Sequence, residues 1–164
     1  MSEARFSVLI IGCGRIAGGF DAERPVDALP LTHAGSFAQH GAFHIAACVD
    51  PDDGTRSAFM KRWNVAVGAS SVGTLPPGTG RFDVVSICSP TSLHAAHFEQ
   101  ALALRPQLIF CEKPVTPSWA ESKRWIEACA AQSVLLAINH TRRWAPDVVA
   151  LATELRDGQW GAIR

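Results

Sequence analysis

The feature that most constrains this chain is a rhythm of short apolar runs that do not alternate. Five stand out: Phe6–Ile11, Phe43–Val49, and the segments 83–88, 108–111 and 134–138. A strand with one wet face alternates apolar and polar residues. A run that is apolar at nearly every position suits a strand covered on both faces, as in a parallel sheet. Each run is closed by turn-forming or polar residues: Gly12, Asp50-Pro51, Ser89-Pro90, Glu112-Lys113-Pro114 and Asn139-His140. A weaker strand is expected at 65–67. Helical stretches fill the gaps at 53–63, 92–104, 117–131 and 145–157. Strand and helix in alternation imply right-handed crossovers and a doubly wound, mainly parallel α/β sheet with helices on both faces.

Composition supports one domain. Of 164 residues, 48% are hydrophobic and 18% charged, enough for a sizeable core. The formal net charge is zero, which argues against nucleic acid as a general partner. No polybasic segment suggests a membrane surface, and no apolar run approaches the ~20 residues of a spanning helix. Val8–Ile11 is too short for a signal sequence and follows the acidic Glu3, so a cytoplasmic location is expected. Five cysteines, at 13, 48, 88, 111 and 129, are widely spaced without a C-x-x-C pair. They read as free, mostly buried thiols, and no zinc site is expected.

Local signals refine the picture. Ser122, Trp125, Ile126 and Cys129 fall at helical spacing and predict one inward face. Thr116 is expected to cap that helix with Pro117 at its first position, and Ser92 to cap the helix after the 83–88 strand. Residues 18–32 and 68–80 break the rhythm and read as an inserted surface loop and a second loop.

The first strand runs into Gly12-Cys13-Gly14-Arg15-Ile16-Ala17, a G-x-G-x-x-A pattern with a short helical stretch expected after it. The first glycine permits a tight turn. The second removes a Cβ so that a pyrophosphate can approach the backbone, and the small sixth residue lets helix and strand pack closely. Amide N–H groups at the start of the expected helix would face the phosphates. At this place in an alternating chain the motif predicts a Rossmann-type dinucleotide site. Asp50, at the end of the second strand, can accept bonds from an adenosine ribose and would repel a 2′-phosphate. It favours NAD(H); Arg15 and Arg56 leave NADP(H) open, and Asp50 as a helix cap is the structural alternative. Asp50 lies 36 positions beyond Gly14, against about 20 residues in the usual fingerprint. The inserted loop accounts for the excess.

Three further strand ends bring chemistry to the same edge of the sheet. The first is Ser89-Pro90-Thr91-Ser92-Leu93-His94, where His94 is either a site residue or purely structural, and His97 reads as packing or surface. The second is Glu112-Lys113-Pro114, where a lysine beside a glutamate could donate a proton to, or orient, a substrate oxygen; the alternative is a surface ion pair. The third is Asn139-His140-Thr141-Arg142-Arg143-Trp144, a site or a domain-exit turn. The Gly-Lys-Ser/Thr loop of nucleoside triphosphate hydrolases is absent.

In this order, GCGRIA, CVD, SICSPTSLH, CEKP and INHTRRW resemble the Gfo/Idh/MocA family of oxidoreductases. The resemblance spans about residues 5–164 and concerns the N-terminal half of the family alone. It implies a Rossmann domain at 1–144, with 145–164 as exit helix and start of a second, substrate-binding domain that is not present. It implies hydride transfer to or from a sugar, cyclitol or nucleotide-sugar carbon. The family's lysine beside nicotinamide and substrate falls on Lys113, with Glu112 and Pro114 shaping the loop and a cis bond expected before Pro114. Its dinucleotide turn falls on Gly12, Cys13, Gly14, Arg15 and Ile16, and its ribose acid on Asp50. Its nicotinamide-end loop falls on Ser89, Pro90, Thr91 and His94, and its final turn on Asn139 and Arg142 or Arg143. The chain is accordingly expected to be a cofactor-binding half, poorly active by itself, whose exposed Trp144, Trp160 and Ile163 favour self-association. The alternative is a standalone, non-catalytic dinucleotide-binding or interaction module.

Overall fold

A computed structural model describes residues 6–25 and 27–162. Among them, six strands form one sheet: β1 (Phe6–Ile11), β2 (Phe43–Val49), β3 (Val67–Ala69), β4 (Val84–Ile87), β5 (Leu108–Glu112) and β6 (Leu135–Asn139). The strand order is β3-β2-β1-β4-β5-β6, and every pairing is parallel. The order reverses between β1 and β4, the switch point at which open α/β sheets bind ligands. The five helices are α1 (His33–Gln39), α2 (Asp53–Trp63), α3 (His94–Ala103), α4 (Trp119–Ala131) and α5 (Pro146–Arg156).

β1 explains why the apolar runs lack alternation. Val8 and Ile10 pack with Phe37 of α1 and Phe59 of α2. Leu9 and Ile11 pack on the opposite face with Phe98 of α3 and Trp125 of α4. Residues 8 to 11 are all essentially inaccessible. Each such side chain contributes roughly 1.5–3 kcal/mol of transfer free energy, so both faces demand cover. Phe98 and Trp125 stack at 5.9 Å, joining α3 to α4 over the second face. All five cysteines are buried and unpaired.

Several local expectations need correcting. α4 is capped by Ser118, which accepts from the Glu121 N–H, so Pro117 precedes the helix. Thr116 instead donates to the Ser118 carbonyl at 2.8 Å. Ser92 caps nothing: α3 starts after Leu93 with no side-chain cap. Ile126 is 44% exposed, so the inward face of α4 narrows to Ser122, Trp125 and Cys129. The weak strand lies two residues later than expected, because Ala47, Cys48 and Val49 pair with Val67, Gly68 and Ala69. It thus takes the start of the expected 68–80 loop.

The largest difference follows the glycine motif. No α-helix begins there. Gly18 and Gly19 donate to the Gly14 carbonyl, and a 3-10 turn runs over Gly19–Asp21. The first α-helix waits until His33. The segment between is not a plain surface loop either, because Asp21 and Thr32 are buried. The Asp21 carboxylate accepts from the Leu31 N–H at 3.0 Å and from the Thr32 hydroxyl at 2.6 Å. Thr32 in turn accepts from the Gly35 N–H and caps α1. The excursion therefore closes on itself and delivers α1 to the sheet, where His33 and Ala34 donate to the Ile16 and Ala17 carbonyls.

Among the described residues no helix is long and apolar enough to cross a membrane.

Candidate cofactor-binding site

A cleft of about 740 Å³ opens at the carboxyl ends of β1, β2 and β4. Gly12, Gly14, Arg15 and Ile16 form one side, Asp50 and Pro51 another, and Cys88, Ser89 and Pro90 a third. A hollow of similar size lies at the opposite end of the strands, between Arg81, Arg105 and Gln132, away from these groups. Strand polarity favours the first as the ligand site, because open parallel sheets bind at their carboxyl ends.

The two glycines do different work. Gly12 sits at φ +89, and a Cβ there would lie 2.7 Å from the Ser89 backbone nitrogen. It is needed so that β1 and β4 can leave the sheet in contact. Gly14 has no heavy atom within 4 Å of where its Cβ would be. The space before it is open, as a pyrophosphate against the backbone requires. Among the described residues, the N–H groups of Gly14 to Ala17 have no backbone or side-chain acceptor. A cradle of open space and free amides fits a dinucleotide, although it is a turn rather than the expected helix start that supplies the amides.

Asp50 joins the glycine turn to β2. One carboxylate oxygen accepts from the Cys13 N–H at 2.8 Å, the other from the Asp52 N–H at 2.9 Å. Its backbone carbonyl accepts from the Arg56 guanidinium at 2.6 Å. Cys13 itself is buried behind the turn. A thiol hydrogen bond with Cys48, then burial, push its thiol up, which keeps it neutral and unreactive. Arg15 is exposed, its guanidinium 4.6 Å above the Phe20 ring. Phe20 comes from the inserted segment and also lines the cleft, as do Ser70, Ser71, Val72, Leu93, His97 and Gln100.

The β4 exit divides its expected residues. Ser89 and Pro90 line the cleft, and Thr91 opens the 3-10 turn before α3. His94 is fully buried. One ring nitrogen meets the Ser89 carbonyl at 2.9 Å and the other the Pro114 carbonyl at 2.9 Å, so the ring ties the β4 and β5 exits together. His97, expected to be packing or surface, is half-buried in the cleft wall, 2.7 Å from the Ser89 hydroxyl. Burial, then the nearby His94, hold its imidazole below the ordinary value.

At the β5 exit the Lys113–Pro114 bond is cis, as expected. Lys113 is exposed, and among the described residues its side-chain amine makes no ion pair, while its backbone N–H helps hold the Glu112 carboxylate. Glu112 points inward. It accepts from Asn139 Nδ2 at 2.6 Å and meets His33 Nε2 at 2.8 Å. Burial works to raise the Glu112 carboxyl, but the His33 and Asn139 bonds outweigh it and hold it below the usual carboxylate range. For His33, burial works to lower the imidazole; the Cys88 sulfur and the Glu112 carboxylate override it and raise its pKa to about 9. Arg142 stands exposed in the 3-10 turn Thr141–Trp144, apart from this network. His33, Ser86 and Asp21 were not singled out from the sequence. The signals were there: Thr32-His33 is a cap followed by a helix start, and Ser86 interrupts an apolar run.

Fold and cleft together define a Rossmann-type dinucleotide-binding domain. The chain belongs to the Gfo/Idh/MocA family: the family model for the oxidoreductase family with an NAD-binding Rossmann fold matches residues 6–140. Among curated relatives, the uncharacterized oxidoreductase YrbE of Bacillus subtilis is 34% identical over 79 residues, covering 48% of this chain and 23% of its own. D-glucoside 3-dehydrogenase of Escherichia coli is 24% identical over 99% of this chain. Among solved structures, an oxidoreductase from Agrobacterium radiobacter, crystallised with NAD+, L-tartaric acid and magnesium, superposes with a TM-score of 0.79 at 21% identity over 97% of this chain. At that identity the likeness shows the fold. This chain spans only 42% of the length of the latter two proteins.

Proposed function

We propose that this chain is the cofactor-binding part of an NAD(H)-dependent oxidoreductase that transfers hydride to or from a sugar, cyclitol or nucleotide-sugar carbon. The observation that carries the reading is the open space before Gly14, within a cleft that Asp50 closes on the ribose side. The Gly14 to Ala17 amides would hold the pyrophosphate, Asp50 the adenosine ribose, and the Ser89–Thr91 turn the nicotinamide end. Each Asp50 carboxylate oxygen accepts one amide bond and keeps a second lone pair that can accept a ribose hydroxyl, while a 2′-phosphate would meet the carboxylate charge directly. The bound cofactor supplies a hydride acceptor or donor. Lys113, unpaired at the next strand end, would hold or move the proton on the substrate oxygen.

Calorimetric titration with NADH and NADPH in parallel tests this. Tighter NADH binding is expected, weakened roughly 10-fold or more by Asp50→Ala, which corresponds to ~1.4 kcal/mol. A folded sample that takes up neither cofactor would refute the reading, and tighter NADPH binding would overturn the role of Asp50.

A further inference from the structure

At Glu112, the residue before Lys113, begins a buried polar network that the proposed chemistry does not use directly. His33, 2% exposed, stands at the first position of α1 and points into the sheet face formed by β4, β5 and β6. Each of these strands contributes a group. Ser86 of β4 lies 2.7 Å from Nδ1, Glu112 of β5 lies 2.8 Å from Nε2, and Asn139 of β6 holds the same Glu112 oxygen. Phe110 of β5 covers the ring at 4.6 Å. Cys88, just beyond β4, is the remaining titratable group facing the ring; its sulfur lies 3.6 Å from the Ser86 hydroxyl. α1 itself carries no other charged residue. On its backbone side, His33 is bonded to the Ile16 carbonyl of the dinucleotide turn.

We propose that His33 is a positioning residue for Lys113 and acts through Glu112: it donates to Glu112 from one ring nitrogen and to Ser86 from the other, and so keeps the Glu112 charge inward and internally paired. This inference rests on the assignment of Lys113 as the residue that meets substrate. The 2.8 Å separation between Nε2 and the carboxylate requires a proton between them. With the Ser86 hydrogen turned to Cys88, Nδ1 also donates, and the ring is an imidazolium. The amino end of α1 opposes a cation there, a smaller effect than a buried carboxylate in direct contact. The consequence falls on Lys113. A bare carboxylate one residue away would attract the ammonium and raise its pKa. A carboxylate already balanced by an imidazolium leaves the lysine free, and better able to release its proton to substrate. The same network ties the dinucleotide turn to the lysine-bearing strand.

The test is nuclear magnetic resonance on the folded chain. In the wild type both ring nitrogens of His33 should show imidazolium shifts at pH 7.5; a neutral ring would overturn the proposal without any variant. The Lys113 Cε resonance should then titrate higher in His33→Phe, because a neighbouring carboxylate stripped of its counter-charge favours the ammonium. It should return in His33→Phe/Glu112→Gln. A midpoint unmoved in the folded single variant would refute the coupling. Should His33→Phe fail to fold, His33→Gln keeps a donor toward Glu112 without the charge and is expected to show the same rise. NADH titration of the wild type separates the outcomes: failure to bind would count against the proposed function, whereas binding with an unmoved lysine would count against His33 alone.

Discussion

Replacing each glycine of the dinucleotide turn by alanine should separate fold from function. In Gly12→Ala the new methyl meets backbone on three sides: 2.7 Å from the Ser89 nitrogen, and 2.9 Å from both the Cys88 carbonyl carbon and the Ser89 Cα. None of these is the end of a flexible side chain. The residue also sits at φ +89, which costs an L-residue ~1–2 kcal/mol. Overpacking adds roughly 1–3 kcal/mol. Relief would pull apart the β1 and β4 exits, where Cys88 donates to Ile11 at 2.8 Å, and would strain the 2.8 Å bond from Gly12 to Val49 at the end of β2. The sum, about 2–5 kcal/mol, is a large share of the ~5–15 kcal/mol of a typical domain. At ~2–4 °C per kcal/mol for a chain of this size, Tm should fall by about 4–20 °C. In Gly14→Ala the methyl meets nothing within 4 Å and the backbone is not left-handed. Stability should hold or rise by a few tenths of a kcal/mol, while NADH affinity drops because the methyl stands where the pyrophosphate must approach. Urea midpoints and NADH titrations on both variants decide it. Equal midpoints for Gly12→Ala and the parent, or equal losses in both variants, would refute the reasoning.

Three other expectations follow from the same contacts. The His33 pKa, raised from 6.5 to about 9, gives stability that is complete below pH 6.5 and lost as pH climbs through about 9; the Glu112 pKa, lowered from 4.5, gives stability that is complete above 4.5 and lost on acidification. Their overlap places the best-supported range between them, with a ceiling of ~3 kcal/mol on the alkaline side; melting scans from pH 5 to 10 should show the alkaline decline, and a decline as steep in His33→Gln would contradict its source. Asp21→Ala strips the Leu31 N–H and the Thr32 hydroxyl of their buried acceptor, so a loss of ~2–4 kcal/mol is expected by urea denaturation; a loss below ~0.5 kcal/mol would mean the inserted segment does not hold α1 in place. Trp144 and Trp160 are 72% and 67% exposed, beside an α5 with no buried residue. Concentration-dependent self-association is proposed on that basis, and a clean monomer at high concentration in sedimentation would count against it. The third residue of that expected surface, Ile163, lies outside the described residues.

How much was legible in the sequence differs from element to element. β1, β2 and α2 fall where the apolar runs and the expected 53–63 helix place them, because burial on both faces leaves a pattern that needs no partner information; the cap of α2, however, is Asp52 and not Asp50. The dinucleotide turn was legible for the same reason: the demands on Gly12 and Gly14 are local. The Asp21 clasp was not. Its carboxylate looks like any surface acid until the chain brings Leu31 and Thr32 back to it, ten and eleven residues later. The His33 network was less legible still, since Ser86, Glu112 and Asn139 meet His33 from sequence separations of 53, 79 and 106 residues. His94 was visible as a residue that mattered, but not in what way; only the fold shows both its ring nitrogens spent on backbone carbonyls. Helix starts failed at Thr116 and Ser92 because several polar residues compete for one cap, and tertiary packing chooses among them.

The central claim is that a dinucleotide lies in the cleft at the carboxyl ends of β1, β2 and β4. Its most direct test is an amide-resolved NADH titration by nuclear magnetic resonance on the folded chain. The account predicts the largest shifts at Gly12 to Ala17, at Asp50 and Asp52, and at Ser89 and Thr91, with Arg81, Arg105 and Gln132 at the far end of the strands unmoved. Shifts centred on that far end, or none at saturating NADH, would contradict it.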